Sequence, residues 1–337
     1  MMEPFWETLC RVWELGAPTC PPCPVSGGYL HKMYRLDTPC GSYAVKLLNP
    51  EVMRRPNAPG NYRNAERLEA VLEEKGLPIV AALCRNGQKM HCIGEQHYYL
   101  FPWVTHKALP EAAVAPEHCA VIGGLLARMH SLPCGEMPMA ARQPEPIAVD
   151  WEGLAHTVQN AWGRESALSC ALAQALPLLE HAELLYNRGV EALPPLACIC
   201  NGDMDVKNVL WQGSDPVIID LECLELGNPV NDLVQLALGW AGDASGGMDE
   251  TRLAAFLAAY RHAHPLPPVD WAAVCGLGFF WLDWLHYNLR RACGLAADTP
   301  EERMLGSRQA QETLVRIRSY GEKLPAVAAQ FQRSMNS

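Results

Sequence analysis

No apolar run in this chain is long enough to cross a membrane. The densest, Gly276-Leu277-Gly278-Phe279-Phe280-Trp281-Leu282, stops at Asp283, far short of the roughly 20 residues a spanning helix needs. The opening stretch 1–15 carries three Glu and has the spacing of an amphipathic helix, so an amphipathic helix rather than a signal peptide is expected there. A cytoplasmic protein without a membrane partner is expected. Excess positive charge is also lacking: the formal net charge is −10, which argues against nucleic acid as a partner. The charge is unevenly spread. Residues 1–103 carry 11 Lys and Arg against 10 Asp and Glu, and the remainder carries 16 against 27. An acidic C-terminal half suits a cationic substrate, and it suits plain solubility equally well.

Cysteine is plentiful, yet zinc-ligand spacing is not. Cys20-Pro21-Pro22-Cys23 is the one C-x-x-C, and no second pair or His pair follows at finger distance. The 14 cysteines are scattered among apolar neighbours, as reduced core residues are. Internal repeats and low-complexity tracts are absent too. The chain has 337 residues, 49% hydrophobic and 19% charged, enough to bury a large core in two lobes.

What is present concentrates in residues 198–232. Val209-Leu210-Trp211 and Val217-Ile218-Ile219 read as two short strands joined by the turn Gln212-Gly213-Ser214-Asp215. Asp203 and Asn208 lie on the loop entering this hairpin, and Asp220 ends its second strand. Two carboxylates and an amide gathered by one hairpin suit phosphoryl transfer. One carboxylate orients or deprotonates the attacking hydroxyl, while the amide and the other carboxylate hold Mg²⁺ against a triphosphate. Taken singly, an Asp or Asn in a turn is there to bond its own backbone; the ordered set carries the argument.

That set resembles the aminoglycoside phosphotransferase and choline kinase family. The family reads H-G-D-x-x-x-x-N, then I-D-[FLW]-[ED], then D-[LI]-[AV]. This chain reads Asn201-Gly202-Asp203 with Asn208, Ile219-Asp220-Leu221-Glu222, and Asp232-Leu233-Val234. The one departure is Asn201 where the family has His. The resemblance implies an α+β, protein-kinase-like fold of two lobes. Residues 1–103 would form a small antiparallel-sheet lobe, and residues 104–337 a large, mainly helical one. It further implies ATP and Mg as cofactors, with Asp203 as catalytic base and Asn208 and Asp220 as metal ligands. Asp232 would brace the catalytic loop through its backbone. Glu222 would face a second metal or the acceptor.

The N-terminal half carries the rest of the resemblance. Ala44-Val45-Lys46 matches the strand whose Lys contacts the α- and β-phosphates, although a strand Lys can equally be a snorkelling edge residue. Ser26-Gly27-Gly28 stands before it as a turn able to fold over phosphates. Residues 62–75 have helical spacing and stop at Gly76; Glu66 on this helix is expected to pair with Lys46, in preference to Glu69. Strands are expected at 79–84 and 90–92. The run 98–104 fits the hinge, where the Pro102 carbonyl and the Val104 amide would meet adenine with Phe101 behind.

From Pro116 the chain turns helical. Leu126-Ala127-Arg128-Met129-His130 resembles a family helix end, and helices are expected at 150–162, 165–190, 251–264, 269–293, 300–320 and 324–334. No A-P-E step follows Asp220, which disfavours a protein acceptor. The expected reaction is transfer of the γ-phosphoryl of ATP to a hydroxyl of a small molecule such as an aminoglycoside, choline, ethanolamine or homoserine. The alternative is an inactive kinase-like nucleotide-binding or scaffold protein, with Asn201 as its trace.

Overall fold

A computed structural model describes residues 3–25, 31–134, 139–242, 248–297 and 299–336. The chain forms two compact units: the first is Met1–Leu109 with Lys207–Glu225, and the second is Pro110–Val206 with Leu226–Ser337.

In the first unit, strands β1 (Cys23–Val25), β2 (Lys32–Thr38), β3 (Gly41–Leu47), β4 (His91–Ile93) and β5 (Gln96–Pro102) form an antiparallel sheet in the order β1-β2-β3-β5-β4. The two-residue periodicity of a strand sorts its side chains onto two faces. Val45, Leu47, Tyr98 and Leu100 pack with Trp6, Leu9 and Cys10 of helix α1 (Glu3–Trp13). The alternate positions are Lys46 and its register partner Tyr99. Tyr99 packs on the opposite face with Ala58 and Tyr62. The one-turn helix α2 (Pro50–Met53) leads into α3 (Ala58–Glu74), which covers that face. Its buried stripe is Ala58, Tyr62, Ala65, Leu68, Glu69 and Leu72, the three-and-four spacing of a one-sided helix. Gly76 ends the turn at φ +66°, and the Leu77 amide closes onto the Leu72 carbonyl at 3.0 Å, as a left-handed glycine cap does.

The expected strand at 79–84 is not in the sheet. Its place among the five strands is taken by β1, while 78–80 exchange hydrogen bonds with Ile218: the Ile218 amide donates to the Pro78 carbonyl at 2.7 Å, and the Val80 amide donates to the Ile218 carbonyl at 2.9 Å. Those bonds tie the hairpin Val209–Gln212/Asp215–Ile218 to the first unit, and β6 (Lys107–Ala108) pairs with the hairpin's other strand.

The second unit is helical: α4 (Pro116–His130), α5 (Trp151–Trp162), α6 (Ala167–Glu191), strand β7 (Cys198–Asn201), α7 (Pro229–Ala241), α8 (Glu250–Ala263), α9 (Trp271–Val274), α10 (Trp281–Ala292) and α11 (Pro300–Asn336). The expected continuous helix 269–293 is broken by a 3₁₀ stretch, Cys275–Phe280. Close packing accounts for the break. A Cβ on Gly276 would stand 2.2 Å from the Leu185 carbonyl oxygen, and one on Gly278 would run into the Tyr320 ring. Where two helices were expected at 300–320 and 324–334, one runs through Pro325. Proline forfeits a helical hydrogen bond, and burial beyond it offsets the loss: Val327 and Phe331 are buried, and Phe331 stacks on Trp271 at 5.3 Å. Among the described residues no helix is long and apolar enough to cross a membrane.

Candidate active site

The charged centre of the first unit is Lys46. Its β3 position aims the side chain away from the α1 core, and the Nζ donates to Asp220 Oδ1 and to Glu222 Oε2, both at 2.7 Å. Burial alone would lower the lysine's pKa, but the two carboxylates hold it above its ordinary value. Glu222 shows the converse balance: burial would raise it, yet His31 and Lys46 together hold it down at about 2. The cluster is one ammonium bound by two carboxylates, Asp220 and Glu222. The lysine side chain is 8% exposed, Glu222 21% and Asp220 33%, so the carboxylates keep a side open to solvent.

Asp220 follows the hairpin's second strand with φ +59° and ψ +62°. That left-handed backbone is uncommon for a residue with a side chain and gathers at functional sites. The next step is the 3₁₀ turn Leu221–Cys223, which carries Glu222 back toward Lys46. Asn208 is brought close by the backbone, since the Ile219 amide donates to the Asn208 carbonyl at 2.9 Å. A carboxylate and a side-chain amide are hard-oxygen donors of the kind magnesium takes, and the chemistry of Asp220 and Asn208 fits that ion.

Glu66 does not do what was expected of it. Its Oε1 accepts from the Tyr99 hydroxyl at 2.7 Å, and Tyr99 stands directly opposite Lys46 in the β3–β5 register. The tyrosine thus supplies the donor that Glu66 takes, while Lys46 turns to Asp220 and Glu222. Glu69, the alternative, is on the buried stripe but accepts from the Ala82 amide at 2.8 Å and pairs with Lys89. Burial raises its pKa against the pull of that lysine. Neither helix glutamate is a partner of Lys46. Spacing along a helix indicates a face but not which neighbour reaches across it, so Glu222 carried only a weak signal.

Of the remaining expected nucleotide contacts, Ser26, Gly27 and Gly28 lie outside the described residues. Phe101 and Pro102 end β5, opposite Ala44 and Tyr43, and the Trp103 amide donates to the Ser42 carbonyl at 3.0 Å. The pairing continues to Trp103, and Val104 follows just past it, half-buried. Cys20 and Cys23 are free and exposed, with their thiols on Asp37 and on the Pro24 carbonyl.

The second unit holds Asp203, itself half-buried, next to a buried network of Asn201, His130 and Asp232. Asp232 accepts from the Asn201 amide and from His130 Nε2, each at 3.1 Å, and His130 Nδ1 lies 2.7 Å from the Tyr260 hydroxyl. Asn201 is fully buried, and its Oδ1 accepts from the Asp203 amide at 3.4 Å. The residue that departs from the family pattern therefore holds the backbone of the aspartate two positions on. Burial would lower His130, but the bonds from Asp232 and Cys198 more than offset it and hold the imidazole protonated. Cys198 and Cys200, on one face of β7, place their sulfurs 3.5 Å apart. Those sulfurs and a His130 nitrogen lie within 4.8 Å of one another. Both ring nitrogens of His130 already have oxygen partners, so the group works as a hydrogen-bonded brace behind the Asn201-Gly202-Asp203 loop.

Known proteins resemble this chain in sequence and in fold. The model of the phosphotransferase enzyme family matches residues 23–266. A homoserine kinase of Pseudomonas aeruginosa (strain UCBPP-PA14) is 26% identical over 227 residues, covering 64% of this chain. The match spans 66% of that relative, just under two thirds of its length. Among solved structures, a spectinomycin phosphotransferase in complex with ADP and spectinomycin superposes with a TM-score of 0.67 at 12% identity, over 94% of this chain and 98% of its own. An amicoumacin kinase in complex with AMP-PNP and Ca²⁺ gives 0.62 at 12% identity, over 91% and 92%. A choline/ethanolamine kinase family protein from Mesorhizobium loti gives 0.60 at 15%, over 99% and 100%. At such identities the solved structures establish the fold, α+β and protein-kinase-like, as the sequence led one to expect.

Proposed function

This chain belongs to the phosphotransferase enzyme family, and from that premise we propose that it moves the γ-phosphoryl of ATP to a hydroxyl of a small molecule. The observation that carries the reading is the 2.7 Å bond between Lys46 and Asp220, residues 174 positions apart. An ammonium and a carboxylate brought together from such a distance, partly open to solvent, suit a triphosphate and its counter-ion better than they suit a core.

In this reading the Lys46 ammonium binds phosphate oxygens. Asn208 and Asp220 hold magnesium, which when bound neutralises charge on the phosphates. Asp203 accepts a hydrogen bond from the acceptor hydroxyl, orients its lone pair toward phosphorus, and takes its proton as the new P–O bond forms and the bond from the γ-phosphorus to the β–γ bridging oxygen breaks, with ADP as the leaving group. Phe101, Pro102 and Val104 serve the adenine edge. Positioning and charge stabilisation then account for most of the acceleration. The acceptor falls among hydroxylated amines and amino acids: homoserine, choline, ethanolamine and aminoglycosides. The homoserine kinase relative and the acidic balance of the C-terminal half support that class.

The test is ADP release from Mg-ATP over a panel of such hydroxyl compounds, with wild type beside Asp203→Asn. Turnover that falls by about 10²–10⁴ in the variant is expected of a lost general base. If no compound gives Asp203-dependent turnover while Mg-ATP still raises the melting temperature, the chain is a nucleotide-binding protein without transfer activity.

A further inference from the structure

We propose that Glu222, anchored by His31, is the residue that positions Lys46 for the nucleotide phosphates, so that this chain does not use its helix glutamate Glu66 for that task. The inference rests on the nucleotide reading above.

Three observations carry it. Lys46 has two carboxylate partners at 2.7 Å, Asp220 and Glu222. Asp220 is the proposed metal ligand and has a second duty; the other partner of Glu222 is His31, which anchors it rather than drawing it toward a metal. The helix glutamates are engaged elsewhere, Glu66 by the Tyr99 hydroxyl and Glu69 by Lys89 and the Ala82 amide.

Glu222 is also held in place. Its Oε2 takes the lysine, and its Oε1 lies 3.3 Å from His31 Nε2. The Asn49 amide donates to His31 Nδ1 at 3.0 Å, which leaves the proton of the neutral ring on Nε2, facing Glu222. Tyr62 adds its hydroxyl to the same nitrogen at 3.2 Å. His31 directly precedes β2, and Asn49 follows β3 by one residue. The anchor is thus fixed to the ends of β3, which bears Lys46, and of its neighbour β2, and a carboxylate tied there constrains the ammonium in direction as well as in charge. A positioning residue of this kind acts through the lysine and touches no reacting atom.

The experiment compares Lys46→Ala, Glu222→Gln, Glu222→Asp and Glu66→Gln. Each is measured for Mg-ADP affinity by titration calorimetry, and for KM(ATP) and kcat with whichever hydroxyl acceptor the panel identifies. Loss of one charged hydrogen bond to Lys46 predicts an Mg-ADP affinity roughly 10-fold weaker in Glu222→Gln, with a matching rise in KM(ATP). Misplacement of the lysine predicts a fall in kcat of up to about 100-fold. Glu222→Asp should recover part of both, and Glu66→Gln should change either by less than about threefold. A merely structural Glu222 would lower the melting temperature without splitting KM from kcat or being rescued by Asp. Weaker Mg-ADP binding in Lys46→Ala with none in Glu222→Gln overturns the inference and leaves the nucleotide site standing. Unchanged binding even in Lys46→Ala overturns the nucleotide reading itself. Should Glu222→Gln fail to fold, Glu222→Asp and Glu66→Gln still discriminate, because a larger loss in Glu66→Gln than in Glu222→Asp contradicts the proposal.

Discussion

The two units each contain a carboxylate bound to a cation, and they use it differently. In the first, Lys46 meets Asp220 and Glu222, whose side chains are 33% and 21% exposed. In the second, His130 meets Asp232 with side chains 0% and 4% exposed; Asp232 Oδ2 takes the Asn201 amide and His130 Nε2, and His130 Nδ1 meets the Tyr260 hydroxyl. The first cluster is left partly open, as a site that exchanges ligands would be. The second is sealed and its charges are paired, since burial makes an unpaired charge expensive. The brace holds the backbone of the Asp203 loop, and the proposed nucleotide site would draw its ligating charge from the open cluster.

The sharpest way to break this contrast is to remove the brace. Asp232→Ala leaves protonated His130 and the Asn201 amide without an acceptor, and breaking such a buried pair costs about 3–5 kcal/mol. Urea unfolding should show a loss of that size, and activity should fall with it because the loop bearing Asp203 loses its anchor. A loss below about 1 kcal/mol would mean the network contributes little.

Acid titration probes the open cluster next. The folded pKa of Glu222, about 2, lies below its unfolded value near 4.5, so its stabilisation is complete above pH 4.5 and is lost as pH falls toward 2. From that shift the contribution is on the order of 2–3 kcal/mol. Wild type should lose stability over that window more steeply than Glu222→Gln; coincident acid limbs would show that Lys46 does not hold the carboxylate in solution. The smallest expected effect is at Tyr99→Phe, which removes the hydroxyl bonded to Glu66 and should cost about 1 kcal/mol in thermal unfolding. If Lys46 turned to Glu66 once that hydroxyl was gone, the Lys46–Glu222 coupling measured in a double-mutant cycle would shrink.

Much of this was readable in the chain. Lys46, Asp203, Asn208 and Asp220 stood out because ordered spacing within a hairpin and one strand is a local property, and so did the brace at Asp232. What escaped the sequence was decided by neighbours distant in the chain. Glu66 looked right on its helix, but Tyr99, set opposite Lys46 by strand register, takes its oxygen. Residues 79–84 read as a sheet strand, but their amides bond scattered partners, Val80 to Ile218, Ala82 to Glu69 and Leu83 to Leu100, so no continuous pairing forms. The glycines at 276 and 278 gave no periodic signal, and only their contacts with Leu185 and Tyr320 explain the break there. Pro325 argued for two helices until the burial of Phe331 outweighed it.

The most direct test of the central claim is crystallographic. Crystals grown with AMP-PNP and Mn²⁺ in place of Mg²⁺ should give an anomalous peak bonded to the side-chain oxygens of Asn208 and Asp220, with the Lys46 ammonium on a phosphate oxygen. Manganese held elsewhere, or a nucleotide out of reach of Lys46, would contradict the account.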